Sequence, residues 1–424
     1  DFQPASTLKL LVGSAALDRL GPAFRFRTTL GLAPAAHARA PALVLRMGGD
    51  PTLTFADLSA AVDASPVPSI SNFFVDDSAF EDRHYPAGWT WDDFGQDYAP
   101  PVSAATLDEN VVTVRVSPGA RAGAPASVRV ANERAAIAQS ASCNAHDASV
   151  VALVSVATTG AAGSDDTLDV ARTPNDCPEV IGSIPLGAAP ESLSAAVYDP
   201  LAAIAATLNH ALSVKKIVVT QPNDAFARPV DALVRPPATL PARTAFWTHD
   251  SQPLSELLGP RFWIPSDNLF GELLLEELGL ASRGTGSTGT GIAAEKTWLA
   301  SLGIDPATVT LADGCGMSQY DRITPRDLVA ILQHDFAGPN RAIVLDSLPI
   351  GGVRGTIEGI AGTLAQGRVY AKTGSMMHVR GLAGYLVTQR HGAVTFAFNV
   401  DDWIGDYAAL ATLRAAVLAR IIAD

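Results

Sequence analysis

The chain is poor in charge and in sulfur. Only 17% of its 424 residues are Asp, Glu, Lys or Arg, and it carries three cysteines and four methionines. Positive charge is in deficit: 30 Lys and Arg stand against 43 Asp and Glu, a formal net charge of −13. That balance argues against a nucleic-acid partner, because such binding rests on basic surface. There is no run of 18 or more apolar residues, so no segment reads as a transmembrane span. Cys143, Cys177 and Cys315 show neither C-x-x-C nor Cys/His ligand spacing, which argues against a zinc site. Cys143 and Cys177 suit either one disulfide in an exported protein or two unpaired thiols, and Cys315 is expected to be free. The sequence has no internal repeat and no visible targeting segment. Asp1 stands only five positions before Ser6, so residues preceding it, including any such segment, are expected to be missing.

What is present is a well-buried composition, 48% hydrophobic, long enough for two or three domains. Pro4 to Leu20 reads as one helix, apolar nearly all round, started by Pro4 and stopped by Gly21-Pro22. Phe24–Leu32 and Ala42–Met47 read as strands, and a short helix begins at Thr54. From about Val67 to Val234 the texture is β-rich, with short runs such as Ile70–Val75, Val111–Val116, Ala126–Val130 and Val150–Ala157 between Pro, Gly and Ser. Pro200–Leu212 reads as a helix, with Lys216–Val219 a strand after it. Past a Pro-rich boundary at 235–241, a leucine-rich helix follows Ser266. Gly284–Gly291 reads as a flexible loop, and helices follow at Ala293–Leu302 and Pro325–Leu332. Arg368–Thr373, Gly381–Thr388 and Ala393–Val400 read as an antiparallel meander, closed by a helix over Asp406–Ile422.

Three short motifs occur in order: Ser6-x-x-Lys9, Ser266-Asp267-Asn268 and Lys372-Thr373-Gly374. On a helix, Ser6 and Lys9 share a face and can touch. Burial lowers a lysine's pKa, so Lys9 can take the serine proton and make Ser6 a nucleophile toward an acyl carbonyl. Ser266 and Lys372 can relay that proton to a leaving amine, and Asn268 can hold a substrate amide. Thr373 and Ser375 can bind a carboxylate beside Lys372. The N–H groups of Ser6 and Ser375 are candidates for an oxyanion hole. This chemistry calls for no metal and no organic cofactor.

The triplet is the signature set of penicillin-binding proteins and class A β-lactamases. The 260 positions from Ser6 to Ser266 exceed what a β-lactamase needs and call for inserted domains. The layout resembles the D-alanyl-D-alanine carboxypeptidase/endopeptidase family of low-molecular-mass class C penicillin-binding proteins (the DacB type, peptidase family S13). The resemblance also rests on Gly48-Gly49-Asp50-Pro51-Thr52-Leu53, on Gly88-Trp89-Thr90-Trp91-Asp92-Asp93 with Tyr98–Ser103, and on Asp313-Gly314-Cys315-Gly316-Met317-Ser318. It implies an α+β fold: a transpeptidase/β-lactamase-like domain, an antiparallel sheet flanked by helices, with inserted small β-rich domains. The expected division is residues 1–30 and 242–424 for the catalytic domain, 31–66 and 131–241 for a first insertion, and 67–130 for a second. It further implies a serine D,D-peptidase of the periplasm or cell envelope. Its partners would be peptidoglycan stem peptides, with β-lactams as covalent inhibitors.

By the same resemblance, Asp93 matches an acid that holds the free amino end of a diaminopimelate side chain, and Met376 a pocket-wall position. A surface carboxylate and a core methionine are the alternatives. Cys315, Met317 and Gln319 depart from the usual Ser, Leu and Arg of the Asp-Gly-Ser-Gly-Leu-Ser-Arg pattern, and Gln319 bears on substrate recognition rather than acylation. A β-lactamase or esterase of the same superfamily is the second enzyme reading. A scaffold that has lost catalysis is the third, and it sits poorly with three intact motifs.

Overall fold

The computed structural model describes residues 1–35, 38–81, 84–130, 139–140, 151–152, 154–173, 178–197, 199–221 and 244–424. Cys143 and Cys177 lie outside the described residues, while Cys315 is free and buried. The chain forms two compact units. The first comprises Asp1–Arg25, Tyr85–Trp89 and Gln252–Asp424, the second Phe26–His84 and Thr90–Ser251. Helix and sheet are mixed in the α+β manner expected.

The first unit is built on the helix Lys9–Arg19, whose residues from Lys9 to Leu17 are all buried. Its entry differs from the expected helix at Pro4. Ala5–Leu8 is a 3-10 turn capped by Pro4, and Ala5 has a positive φ of 45°. Gly13 admits a large neighbour, since a Cβ there would lie 2.7 Å from the Trp263 ring. Helix Asn268–Arg283 follows Asp267, whose side chain accepts from Phe270 N and caps it. The expected loop at Gly284–Gly291 is half wrong, because a helix already runs over Thr288–Ser301. Ser287 and Thr290 cap its start reciprocally, and Gly291 serves packing rather than flexibility: a Cβ there would meet Leu275 O at 2.2 Å. Helix Pro325–Ala337 starts from a Thr324–Asp327 capping box. Strands Val369–Met376, Val379–Val387 and Ala393–Val400 form the expected antiparallel meander in unbroken register. Helix Tyr407–Ala423 ends the chain, and its Leu418 and Ile422 join a core with Val369, Ala371, Leu382 and Leu386 from that sheet.

The second unit holds a four-stranded sheet in the order Thr244–Asp250, Arg27–Ala33, Ala42–Arg46, Phe73–Asp76. Helices Phe55–Asp63 and Pro200–Val214 share its core, which includes Leu30, Leu45, Leu58, Val75, Ile204 and Leu208. The run Ile70–Val75 divides into two strands, Ser69–Ile70 and Phe73–Asp76. A second core gathers Val112, Val114, Val116, Val170, Val180 and Ile184 from strands of three to seven residues.

Candidate active site

Ser6 sits on the 3-10 turn and Lys9 opens the α-helix, so the three-residue spacing brings Lys9 Nζ to 2.9 Å from Ser6 Oγ. Lys9 is fully buried, while Ser6 keeps partial access to solvent. Lys9 Nζ also donates to Asn268 Oδ1 at 2.6 Å and to Cys315 O at 2.8 Å. These two oxygens can only accept. A neutral amine has two N–H groups, which they take, leaving its lone pair directed at the Ser6 hydroxyl. Burial lowers the Lys9 pKa, opposed by the charges of Asp313, Asp267 and Glu272. The neighbouring Cys315 thiol is pushed well up by burial, so it stays protonated and the carboxylates are the opposing charges that count. Trp263 Nε1 donates to Lys9 O at 2.9 Å and fixes the backbone there.

Lys372, on the strand Val369–Met376, is the second buried lysine. Its Nζ donates to Ser266 Oγ at 2.8 Å and to Thr373 O at 3.0 Å. Burial, with Lys9 adding to it, pulls its pKa well below the ordinary value. Ser266 itself has a φ of 67°, a strained conformation for a residue with a side chain, at the turn before the Asn268 helix. Ser6, Lys9, Ser266, Asn268 and Lys372 are therefore joined in two linked clusters, as their motifs predict.

Glycines set the closeness of these parts. A Cβ at Gly374 would lie 2.5 Å from Pro4 O, so the strand passes against the Ser6 turn backbone to backbone. Gly316, with φ 84°, is tighter: its Cβ would fall 2.0 Å from Ala5 O. Along the strand, Val369 O accepts from Gly351 N and Ala371 N donates to Pro349 O. Odd-numbered residues thus direct their backbone groups away from the neighbouring strand. The register continues to Met376 without a break, so Ser375 N–H also points outward along this free edge. Ser375 is exposed, and Thr373 Oγ1 donates to Thr356 Oγ1 at 2.7 Å, which puts two hydroxyls side by side next to Lys372. Met376 is half-buried, with its carbonyl taken by Arg380 Nη1 at 2.6 Å.

Asp93 belongs to the second unit. It closes the 3-10 turn Trp91–Asp93, where its Oδ2 accepts from Thr90 Oγ1 at 2.6 Å and Oδ1 from Tyr98 OH at 3.1 Å. Those bonds account for it as a turn-capping carboxylate.

The loop from Asp313 to Ser318 contributes what the motifs alone did not announce. Asp313 is buried and accepts from Gly316 N (2.7 Å), Ser318 N (2.6 Å) and Trp89 Nε1 (2.9 Å). It curls the loop so that Cys315 O faces Lys9 and Met317 Sδ accepts from Asn268 Nδ2 at 3.0 Å. Gln319 is exposed, and its carbonyl accepts from Gln3 Nε2. Glu272, Asp313 and Cys315 offer donor atoms within 4.8 Å of one another. Both Asp313 oxygens and Glu272 Oε1 already accept from N–H groups, so the trio reads as a loop anchor rather than a ligand set. The sequence signal for Glu272 was its place four residues after Asn268, between Leu269 and Leu275 on the same helix face.

A model of the D-Ala-D-Ala carboxypeptidase 3 (S13) family matches residues 1–420. The D-alanyl-D-alanine carboxypeptidase of Actinomadura sp. (strain R39) is 31% identical over 402 residues, 90% of this chain and 70% of that protein. The D-alanyl-D-alanine carboxypeptidase DacB of Haemophilus influenzae is 26% identical over 410 residues, 94% of this chain and 80% of its own. Among solved structures, penicillin binding protein 4 (dacB) from Haemophilus influenzae matches with a TM-score of 0.83 at 24% sequence identity. That match covers 99% of this chain and 91% of the other. The same protein complexed with a β-lactam matches with a TM-score of 0.77 at 23% identity. The two structures share this chain's fold.

Proposed function

The chain belongs to the D-Ala-D-Ala carboxypeptidase 3 (S13) family, and from that premise we propose that it is a penicillin-binding serine D,D-peptidase working through a Ser6 acyl-enzyme. The observation that carries this reading is the Lys9 amine, fully buried and bonded to two obligate acceptors, with its remaining valence directed at Ser6 Oγ.

In this reading Ser6 Oγ attacks the carbonyl carbon of the penultimate D-alanine while Lys9 Nζ takes the hydroxyl proton. The negative oxygen that forms is met by the N–H groups of Ser6 and Ser375, the latter on the free strand edge. The C–N bond then breaks as a proton reaches the leaving amine through Ser266, which Lys372 holds at 2.8 Å. Water, deprotonated by the same amine, releases the acyl group. Thr373, Ser375 and Lys372 receive the terminal carboxylate, Gly374 leaves room for the peptide to lie along the strand, and Met376 lines the wall beyond it. A β-lactam meets the same serine, but its amine stays tethered after ring opening, so the acyl-enzyme persists.

The substrates are peptidoglycan stem peptides, cleaved at D-Ala-D-Ala ends or at D-Ala–diaminopimelate cross-links, with Asp93 as the partner for a diaminopimelate amine. The site is the cell envelope. No described helix is long and apolar enough to cross a membrane. The experiment is release of D-alanine from a stem pentapeptide, and of monomers from a cross-linked dimer. Release abolished by Ser6→Ala supports the reading, and release unchanged in that variant overturns it.

A further inference from the structure

The mechanism above leaves unused a fully buried carboxylate close to Lys9. Glu272 stands four residues after Asn268, so one helical turn sets both on the same face of helix Asn268–Arg283. Its Oε1 accepts from Gly314 N at 2.9 Å, while the neighbouring Cys315 thiol donates to Asp313 Oδ2 at 3.6 Å. Paired glycines allow this approach: a Cβ at Gly314 would lie 2.7 Å from Gly271 O, and one at Gly271 3.1 Å from Gly314 O. Glu272 therefore holds Gly314 N, and the next residue's carbonyl, Cys315 O, is the acceptor that orients Lys9. Its second oxygen, Oε2, is buried without a hydrogen-bond partner. An orphaned oxygen of this kind costs about 1–3 kcal/mol.

We propose that Glu272 is a positioning residue for Lys9: it anchors the Gly314–Cys315 peptide whose carbonyl aims the amine. The inference rests on the reading of Lys9 as the base. Burial lowers the Lys9 pKa, and Glu272 is among the carboxylates that oppose this. Lys9 is faced by Asp313, Asp267, Glu272 and the Cys315 thiol, with Lys372 nearby. Glu272 in turn is faced by Asp313, Cys315, Glu276, Glu295 and Asp321. Burial raises its own pKa well above the carboxylate range, so Glu272 holds a proton where an exposed carboxylate would not.

The experiment measures the second-order rate of Ser6 acylation by benzylpenicillin, followed by intact mass from about pH 5 to pH 9. Wild type is compared with Glu272→Gln and Glu272→Ala. Glutamine keeps an oxygen for Gly314 N and deletes the charge. It is expected to acylate within about tenfold of wild type, with the acid limb unmoved, because the anchor is kept. Alanine also loses the anchor, and its rate is expected to fall about 100-fold at every pH. A Glu272→Ala rate equal to wild type, or a Glu272→Gln rate as low as that of Glu272→Ala, overturns the inference while the Ser6 adduct stands. A wild type that forms no Ser6 adduct overturns the reading of the site and this inference with it.

Discussion

The two units differ in the ionisable groups they bury beside their aliphatic cores. In the second, the cores are aliphatic: Leu30, Leu45, Ile204 and Leu208 around one, Val112, Val114, Val180 and Ile184 around the other. In the first, the interior also contains Lys9, Lys372, Glu272, Glu295, Asp313, Asp321 and Asp335, each almost fully shielded from water. Several are displaced in pKa by burial: the lysines downward, and Glu272, Glu295 and Asp321 well upward. Burying ionisable groups is costly, and both Glu295 oxygens lack a hydrogen-bond partner. The second unit also buries Asp50, Asp76, Asp77 and Arg172, but its described lysines are exposed, so the buried amines that can serve as bases belong to the first unit. Substitutions in the first unit should therefore change chemistry more than stability, and those in the second the reverse.

The largest effect tests the first half of that contrast. Lys9→Ala is expected to lower the benzylpenicillin acylation rate about 1,000-fold or more while the far-ultraviolet circular dichroism stays native. A variant acylated at the wild-type rate would remove Lys9 from the chemistry. Next comes geometry without charge. Gly316→Ala must adopt a φ of 84° and place a methyl 2.0 Å from Ala5 O, so the Ser6 turn has to move. A displacement of that kind should slow acylation about 100-fold, measured on folded protein by the same mass shift.

The other half of the contrast is tested by Leu208→Ala in the helix Pro200–Val214. Leu208 is fully buried, and its truncation should cost about 2–5 kcal/mol in denaturant unfolding. Acylation of the folded variant should stay within about twofold of wild type. Loss of acylation there would mean that the two halves are not separable.

The smallest effect concerns pH. Burial raises Asp335 to about 7, with Ser14 Oγ donating to it at 2.6 Å. A carboxyl whose folded pKa is raised stabilises the fold fully below its unfolded value and loses that contribution as pH climbs through about 7. Asp335→Asn keeps an acceptor for Ser14 and cannot ionise. It should be more stable than wild type at pH 8 by of order 1 kcal/mol, and the advantage should vanish near pH 4. Equal stability at both pH values in urea titrations would show that the buried acid carries no such cost.

How much was legible in the sequence follows the same division. The three motifs were readable because each is local: spacing alone puts Ser6 by Lys9, and Asp267 at the head of its helix. The meander was readable because its strands are long and its turns short. What supports the site was not, since Cys315 acts through its carbonyl, Trp263 through its indole on Lys9 O, and Asp313 through three N–H groups up to 224 positions away. No side-chain pattern announces a backbone acceptor. Gly291 misled because a glycine that admits Leu275 O looks, in sequence, like one that loosens a loop. Strand Thr244–Asp250 escaped because every residue in it except Ala245 is polar or aromatic and it follows a Pro-rich run.

The central claim is a serine acyl-enzyme at Ser6, and the most direct measurement is intact-protein mass spectrometry after incubation with benzylpenicillin, with Ser6→Ala alongside. The predicted result is a stable adduct carrying the whole mass of the drug on the wild type and none on the variant. An adduct of equal yield on Ser6→Ala, or a wild type that leaves both itself and the drug unchanged, would contradict it.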